Sequence, residues 1–295
     1  MVKLVCLMPA RNEDWILGLS ARAALLWCDD LVILDHASED RTWDIVIGLQ
    51  REFGDRVQPL LEGWPEWNEM EHRQRLLETA RERGATHIAL IDADEVLTGN
   101  LLPEIRGHVE QIPKHATLQL PWQCLRGSIA EVDRGEVWGV AQACVAFEDE
   151  PRCHWSSGER QGYQFHHRHP MGRPYMAFQP VPRSCGGLMH LQFVNERRLR
   201  SKQALYKMQE VVRWPGRQSA AEINAIYNPA VYGQMRATAD HCLSPVPPEW
   251  WAPYASWMQY LQPDAAPWQE AECARLWEQH GEAPFAGLDL FGAVS

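Results

Sequence analysis

The stretch HIALIDADEVLT, residues 87–98, closes a short apolar run with three acids. The run from His87 to Ile91 follows a glycine break and is too short for a helix, so it predicts a β-strand. In open α/β sheets, ligands bind at the carboxyl ends of the strands. Asp92 and Asp94 would lie at that edge, where neighbouring carboxylates repel unless a cation or a proton separates them. This spacing predicts a site for Mn²⁺ or Mg²⁺, which complete their shells with phosphate and water. A solvated turn is the alternative.

Strand-like and helix-like segments alternate through the first hundred residues. Apolar runs at 2–8, 31–34 and 57–61 predict three more strands. Periodic segments at 13–27, 38–53 and 68–83 predict the intervening helices, the second capped by Ser38. Such alternation is typical of βαβ units. We therefore predict an α/β fold, a Rossmann-type and mostly parallel sheet flanked by helices.

The pattern changes after residue 101. Further strands are predicted at 117–122 and 138–147, and residues 153–187, rich in Pro, Gly, Arg and His, predict a long functional loop. Helices follow, with a long one at about 195–213 and a last one near 268–280. We predict two domains, a catalytic domain at 1–192 and a helical C-terminal extension at 193–295.

Composition narrows the class of protein. The 295 residues carry a formal net charge of -11, which argues against a general polyanion binder. Eight cysteines without a CxxC pair favour a reducing compartment. No apolar run approaches the roughly 20 residues that span a bilayer, and the start does not resemble a signal peptide. These features predict a cytoplasmic protein without a transmembrane segment.

Basic residues concentrate between positions 196 and 217, against only two acids there. They are Arg197, Arg198, Arg200, Lys202, Lys207, Arg213 and Arg217. A local basic face on an acidic protein predicts a specific anionic ligand.

Four segments, in order, carry a family resemblance: LMPARNED (7–14), LDHASEDRT (34–42), HRQRLLETA (72–80) and LIDADE (90–95). Together they resemble family-2 glycosyltransferases with the GT-A fold. The resemblance covers about residues 2–100 and thins out afterwards. It implies a GT-A-like sheet and a metal-dependent transfer of a sugar from a nucleoside-diphosphate donor.

The resemblance also implies donor-binding residues. These are Pro9, Ala10, Arg11, Glu13, Asp35, Arg73 and Asp92. Asp35 would accept a hydrogen bond from the base, and a carboxylate suits the imide N–H of uracil or guanine. We expect a nucleoside-diphosphate sugar as donor, with a UDP-sugar favoured. A helix-capping role for Asp35 and a surface salt bridge for Arg73 are the alternatives.

For the metal, the resemblance implies Asp94 as direct and catalytic ligand, Asp92 as ribose or metal contact, and a late ligand from beyond the sheet. His190, after the glycine pair 186–187, is the candidate, with a satisfied core histidine as the alternative. Glu159 is the candidate general base. Asp149 and Glu150 are the other available carboxylates, and a retaining mechanism stays open if none of them acts as base.

The acceptor has several candidates. The segment HLQFVNERRLRSKQALYKMQE (190–210) is similar to phage-encoded members of the family, some of which modify hydroxymethylated DNA bases. Arg198, Lys202 and Trp67 are then candidate acceptor contacts, with double-stranded DNA as partner in a host cytoplasm. A cell-surface or lipid-linked glycan, or a non-catalytic nucleotide-sugar sensor, stays open.

Two other chemistries are less favoured by the residues. A nucleotidyltransferase would usually carry a glycine-rich loop after its first strand, and PARNED has no glycine. The cysteines and histidines between 153 and 190 match no closed zinc pattern.

Overall fold

The computed structural model describes residues 2–63, 68–135, 139–156, 168–228 and 242–294, with the backbone of 231–232 and 235–236. Its strands are β1 (Leu4–Ala10), β2 (Asp30–His36), β3 (Val57–Glu62), β4 (His87–Leu90), β5 (Glu95–Leu97), β6 (Thr117–Arg126), β7 (Glu131–Asp133), β8 (Gln142–Glu148), β9 (Ala177–Phe178), β10 (Leu188–Phe193), β11 (Val231–Tyr232), β12 (Met235–Arg236) and β13 (Leu243–Pro245). Its helices are α1 (Leu17–Ala24), α2 (Thr42–Phe53), α3 (Glu69–Glu82), α4 (Ile105–Glu110), α5 (Glu196–Arg213), α6 (Ala220–Ile226), α7 (Pro248–Trp251) and α8 (Trp268–His280).

The chain divides into two compact units. The first comprises Met1–Trp122, Gln142–Met189 and Pro247–Gln262, and the second comprises Gln123–Ala141, His190–Val246 and Pro263–Ser295. The split into a 1–192 domain and a 193–295 extension stays a prediction.

The first unit is built on a parallel sheet. Its neighbouring strands run β3-β2-β1-β4, all parallel, and β8 lies antiparallel to β4. Ala10 is aligned with Asp35, so the carboxyl ends of β1 and β2 meet at one edge. The predicted α/β class with a mostly parallel sheet is confirmed.

Side chains of the central strands alternate between two apolar cores. In β1, Leu4, Cys6 and Met8 lie in one core, together with residues of α1. Val5 and Leu7 lie in the other, against α3. A strand buried on both faces reads as a continuous apolar run, as β1 does.

Residues 247–262 belong to the first unit through close backbone contacts. The Tyr254 hydroxyl donates to Leu97 O at 2.8 Å. A Cβ on Gly99 would lie 2.4 Å from Pro253 Cδ, so only glycine permits this approach.

In the second unit, α5 and α8 pack around a smaller apolar cluster that includes Leu205, Met208, Cys273 and Leu276. The predicted last helix at 268–280 is confirmed, and Asn195 caps α5 by accepting from Arg198 N at 3.1 Å. None of the helices in the described residues is both long and apolar enough to cross a membrane.

Two local predictions are wrong. The second helix begins at Thr42, not at Ser38, and has no side-chain cap. Ser38 fails as a cap because its hydroxyl donates to Asp35 instead. The strand predicted at 138–147 begins at Gln142, and Trp138 lies outside the described residues.

Candidate active site

The three acids after β4 form a closed turn, residues Asp92–Glu95, named here the acidic turn. The Glu95 amide donates to Asp92 O at 3.0 Å, and the Asp92 amide donates to Glu95 Oε2 at 2.9 Å. Trp122 Nε1 donates to Glu95 Oε1 at 3.0 Å. Glu95 is fully buried, so it acts as the internal brace of the turn.

Two guanidinium groups bracket Asp92. Arg73 Nη2 lies 3.2 Å from Asp92 Oδ1, and Arg168 Nη1 lies 3.5 Å from Oδ2. Arg73 also pairs with Glu69 at 2.6 Å, within α3. Arg168 pairs closely with Glu95 and donates to Leu90 O at 2.6 Å. The predicted Arg73 is therefore brought to the turn, and its salt bridge is buried and not on the surface.

Burial and ion pairing shift the pKa values of Arg168 and Glu69. Burial alone would lower the pKa of Arg168, but the carboxylates of Glu95 and Asp92 outweigh it and raise that pKa. Burial raises the pKa of Glu69. Both arginines stay charged, as guanidinium groups do in proteins.

The acidic turn brings carboxylates and guanidinium groups together. The carboxylates of Glu69, Asp92 and Glu95 contact Arg73 and Arg168. Asp94 belongs to the same turn. Carboxylate oxygens are the protein ligands that Mg²⁺ and Mn²⁺ prefer.

The number of metal-ligating side chains that lie together limits which kind of metal site is possible. The described residues contain no group of three or more His, Cys, Asp or Glu placed to hold a metal. A protein-only cage is therefore absent from the described part of the chain. Mg²⁺ commonly needs only one or two carboxylates when phosphate and water complete the shell. Asp94, with Asp92 beside it, fits that arrangement.

The loops after β1 and β2 are tied together at the same edge. The Asn12 amide donates to Ser38 Oγ at 2.8 Å, and Asn12 Oδ1 accepts from the Glu39 amide at 2.7 Å. Asn12 has a φ of 53°, a conformation that asparagine tolerates better than most residues. The two loops are thereby held in one arrangement.

Asp35 lies at this edge but is only 1% exposed. Its Oδ1 accepts from Ser38, while Oδ2 is buried and has no hydrogen-bond partner within the described residues. Burial raises its pKa. An unsatisfied buried acceptor fits a ligand N–H. Its contact with a base stays a prediction.

A histidine pair lies beside Arg11. Arg11 Nη1 is 3.3 Å from His36 Nδ1, and the ring centroids of His36 and His72 are 4.5 Å apart. Burial, followed by the charge of His36, lowers the pKa of His72 to about 4. At neutral pH His72 is therefore uncharged, and His36 contacts both His72 and Arg11.

The remaining predicted residues are placed as follows. Pro9 and Ala10 are buried in β1, and Glu13 accepts from Trp15 Nε1 at 2.6 Å. Glu159 and Trp67 lie outside the described residues. His190 belongs to the second unit, buried with its Nδ1 4.0 Å from Cys124 Sγ. Its role as a metal ligand stays a prediction.

The other carboxylates weighed as general bases are engaged in ion pairs. Asp149 pairs with Arg81 at 2.8 Å. Glu150 contacts His115 at 2.8 Å and Arg152 at 3.1 Å, and the His115 contact lowers its pKa. Because basic side chains already engage both carboxylates, these contacts give no support to Asp149 or Glu150 as the general base.

Sequence reasoning missed Arg168, Glu69, Trp122 and the histidine pair. Arg168 follows residue 92 by 76 positions, so only the fold brings it to the turn. Glu69 had a local signal, because it precedes Arg73 by one helical turn.

The basic helix, α5, does not present a continuous basic face. Arg197 pairs with Glu270 and Arg200 with Glu196, at 2.7 and 2.9 Å. Arg198 is 5% exposed and donates to Ala265 O, and Lys207 is buried against Asp289 O. The predicted acceptor contacts Arg198 and Lys202 stay predictions, and Arg198 would have to leave Ala265 O to make one.

No protein-family model matches the chain, and no curated protein matches its sequence. Among solved structures, S. aureus TarS 1–349 is similar at 8% identity and a TM-score of 0.43, over 77% of this chain and 69% of that one. Its complex with UDP matches at 13% identity and a TM-score of 0.34, over 41% and 36%. Glucosyl-3-phosphoglycerate synthase from Mycobacterium tuberculosis, in complex with Mn²⁺, UDP and phosphoglyceric acid, matches at 16% and 0.30, over 42% and 43%.

In the last two matches the chain spans less than half of the other protein's length. All three likenesses are distant. What this site can do is therefore inferred from its own residues.

Proposed function

We propose that this protein is a glycosyltransferase that takes a sugar from a nucleoside-diphosphate donor, with a UDP-sugar favoured, and moves it to an acceptor hydroxyl. The observation that carries the proposal is the position of the acidic turn, with Asp92 and Asp94, at the carboxyl edge of a parallel sheet. That edge is where α/β folds bind ligands.

Asp94 and Asp92 would hold Mn²⁺ or Mg²⁺ together with the donor diphosphate. When bound, the metal supplies positive charge that neutralises the departing diphosphate. Glu95 and Arg168 keep the turn in shape, and Arg73 holds Asp92 in place.

Nucleotide recognition is assigned to the loops after β1 and β2. Asp35 would accept the imide N–H of the base through its unsatisfied Oδ2. Arg11, supported by His36, would lie along the nucleotide. These residues bind and orient the donor without taking part in proton transfer.

Proton removal from the acceptor hydroxyl is assigned to Glu159, since Asp149 and Glu150 are committed to ion pairs. A nucleotide-sugar sensor would bind the donor equally well but would lack this base. If the protein is the enzyme, the wild type should hydrolyse the nucleotide sugar slowly without an acceptor, and Glu159→Gln should not. A sensor would bind the nucleotide sugar without hydrolysing it.

A sugar hydroxyl is favoured as acceptor over a hydroxymethylated DNA base. The DNA assignment depends on free cations along α5, and the contacts of Arg197, Arg198, Arg200 and Lys207 engage those cations internally.

The metal assignment is tested with Asp94→Asn. The substitution keeps the volume of the side chain and removes its charge. We expect Mn²⁺ affinity, measured by electron paramagnetic resonance in the presence of UDP, to fall at least tenfold, about 1.4 kcal/mol. Thermal shift with a panel of UDP- and GDP-sugars, with and without Mn²⁺, measures the same loss through ligand stabilisation.

Asp44→Asn, an exposed acid in the first turn of α2, is the matched control and should leave Mn²⁺ binding unchanged. Wild-type Mn²⁺ affinity in Asp94→Asn would remove the acidic turn from the metal site.

A further inference from the structure

The segment 168–176, which also carries Arg168, holds an exposed aromatic residue. Tyr175 is 70% exposed, and Met176 beside it is 47% exposed. An exposed tyrosine offers an apolar ring face together with a polar hydroxyl.

Tyr175 is held in a fixed orientation despite its exposure. Its hydroxyl accepts a hydrogen bond from Gln119 Nε2 at 2.6 Å, and Gln119 Oε1 accepts from Gln179 Nε2 at 2.8 Å. Gln119 is buried, and the ring of Tyr175 lies 4.9 Å from that of His169, centroid to centroid. The phenol keeps its own O–H to donate to a ligand.

The segment that carries Tyr175 is anchored on both sides. Met171 and His154 exchange backbone hydrogen bonds at 2.8 and 3.2 Å. Gly172 has a φ of 81°, and a Cβ there would lie 1.9 Å from Arg152 O.

On the far side of Gly172, the fully buried Arg173 side chain donates to Ala116 O at 2.7 Å. The Thr117 amide donates to Met176 O at 2.8 Å. An aromatic fixed in advance loses little conformational entropy on binding.

The same segment reaches the acidic turn. His169, which packs against Tyr175, directly follows Arg168, whose guanidinium contacts Asp92 and Glu95. The aromatic pair is therefore on the same segment as an arginine whose side chain reaches the turn.

We propose that Tyr175 and His169, with the amides of Gln119 and Gln179 behind them, form a subsite for the pyranose ring of a carbohydrate acceptor. A sugar presents an apolar C–H face and polar edges. It matches a flat ring beside a small number of fixed polar groups. The inference rests on the proposed glycosyltransferase function and names the chemical class of its acceptor.

Saturation-transfer NMR with methyl glycosides of glucose, galactose, mannose and N-acetylglucosamine tests the subsite. The wild-type protein should give a signal with at least one of them. Tyr175→Ala should weaken that binding at least tenfold, and Tyr175→Trp, which restores a flat ring, should recover most of it. UDP affinity should be the same in all three proteins.

Val140→Ala is the matched control, because Val140 is also apolar and 71% exposed. It should leave glycoside binding unchanged. A thermal melt of Tyr175→Ala within a few degrees of wild type shows that the fold survives.

Each other outcome is decisive. If no glycoside binds the wild type, or if Tyr175→Ala binds as well as wild type, the subsite is refuted. Tyr175-dependent binding of a hydroxymethylated duplex without glycoside binding also refutes it. Glycoside binding through Tyr175 in a protein that binds no nucleotide sugar would leave the subsite standing and overturn the proposed transferase.

Discussion

The acidic turn and the basic helix α5 are both rich in charge, yet their ion pairs differ in burial. In the turn, the fully buried Glu95 pairs with the largely buried Arg168, and Asp92 pairs with Arg73. In the helix, Arg197 and Arg200 meet carboxylates at the surface, and Arg198 donates to a carbonyl oxygen. The effect of a charge depends on its burial and its partners, and a count along the sequence measures neither.

Among the variants that test this comparison, we expect Glu95→Ala to lower the free energy of unfolding the most. Glu95→Ala removes the acceptor of Trp122 Nε1, the acceptor of the Asp92 amide and the closest counter-ion of Arg168. Breaking a buried ion pair from one side leaves an uncompensated charge and costs about 3–5 kcal/mol. Urea denaturation should show that loss in the free energy of unfolding.

The matched variant in the helix is Glu196→Ala. Glu196 and Arg200 are both 54% exposed, and an exposed i,i+4 pair contributes about 0.3–0.5 kcal/mol. Similar losses of unfolding free energy for Glu95→Ala and Glu196→Ala would show that the buried contacts of Glu95 stabilise the protein no more than an exposed ion pair does.

A smaller effect is expected from His72, at the strand edge beside Arg11. Its pKa is lowered to about 4, chiefly by burial, then by His36; Glu62 opposes the shift, and Arg75 and Arg11 add to it. The unfolded chain binds this proton near pH 6.5. Below that pH the unfolded state therefore takes up more protons, and stability falls as the pH drops from about 6.5 to 4.

Because a shift of one pKa unit corresponds to about 1.4 kcal/mol, we expect a loss of about 3 kcal/mol over that window. His72→Phe should flatten the dependence of the unfolding free energy on pH, while the exposed His280→Phe should not. The basic helix α5 contains no histidine, so it should add nothing to the change of the unfolding free energy between pH 4 and 6.5. An unchanged pH profile in His72→Phe would mean that burial does not keep His72 uncharged in the folded protein.

The strand-end part of the site could be predicted from the sequence, because apolar runs that end in an acid are local signals. Apolar runs ending in Asp35 and Asp92 place both acids at one sheet edge once the strands are parallel. Arg168 could not be predicted in this way, since it comes from a segment without periodicity. Ser38 was misassigned because a serine before a helix can equally cap the helix or bond a preceding acid, and the loop geometry decides.

The smallest effect is expected where the sequence suggested the largest, in DNA binding by the basic helix. If α5 lay along a duplex, replacing Arg198 and Lys202 with alanine would flatten the plot of log affinity against log salt by about two units. We expect a change below about one unit, because Arg198 donates to Ala265 O and Lys202 to Gln192 Oε1. Titrations of a labelled hydroxymethylated duplex at several salt concentrations measure the slope, with Arg51→Ala/Lys114→Ala, two exposed cations outside the helix, as the control. A two-unit change seen only in the helix variant would mean that Arg198 and Lys202 contact DNA phosphates despite their internal hydrogen bonds. DNA would then be the favoured acceptor.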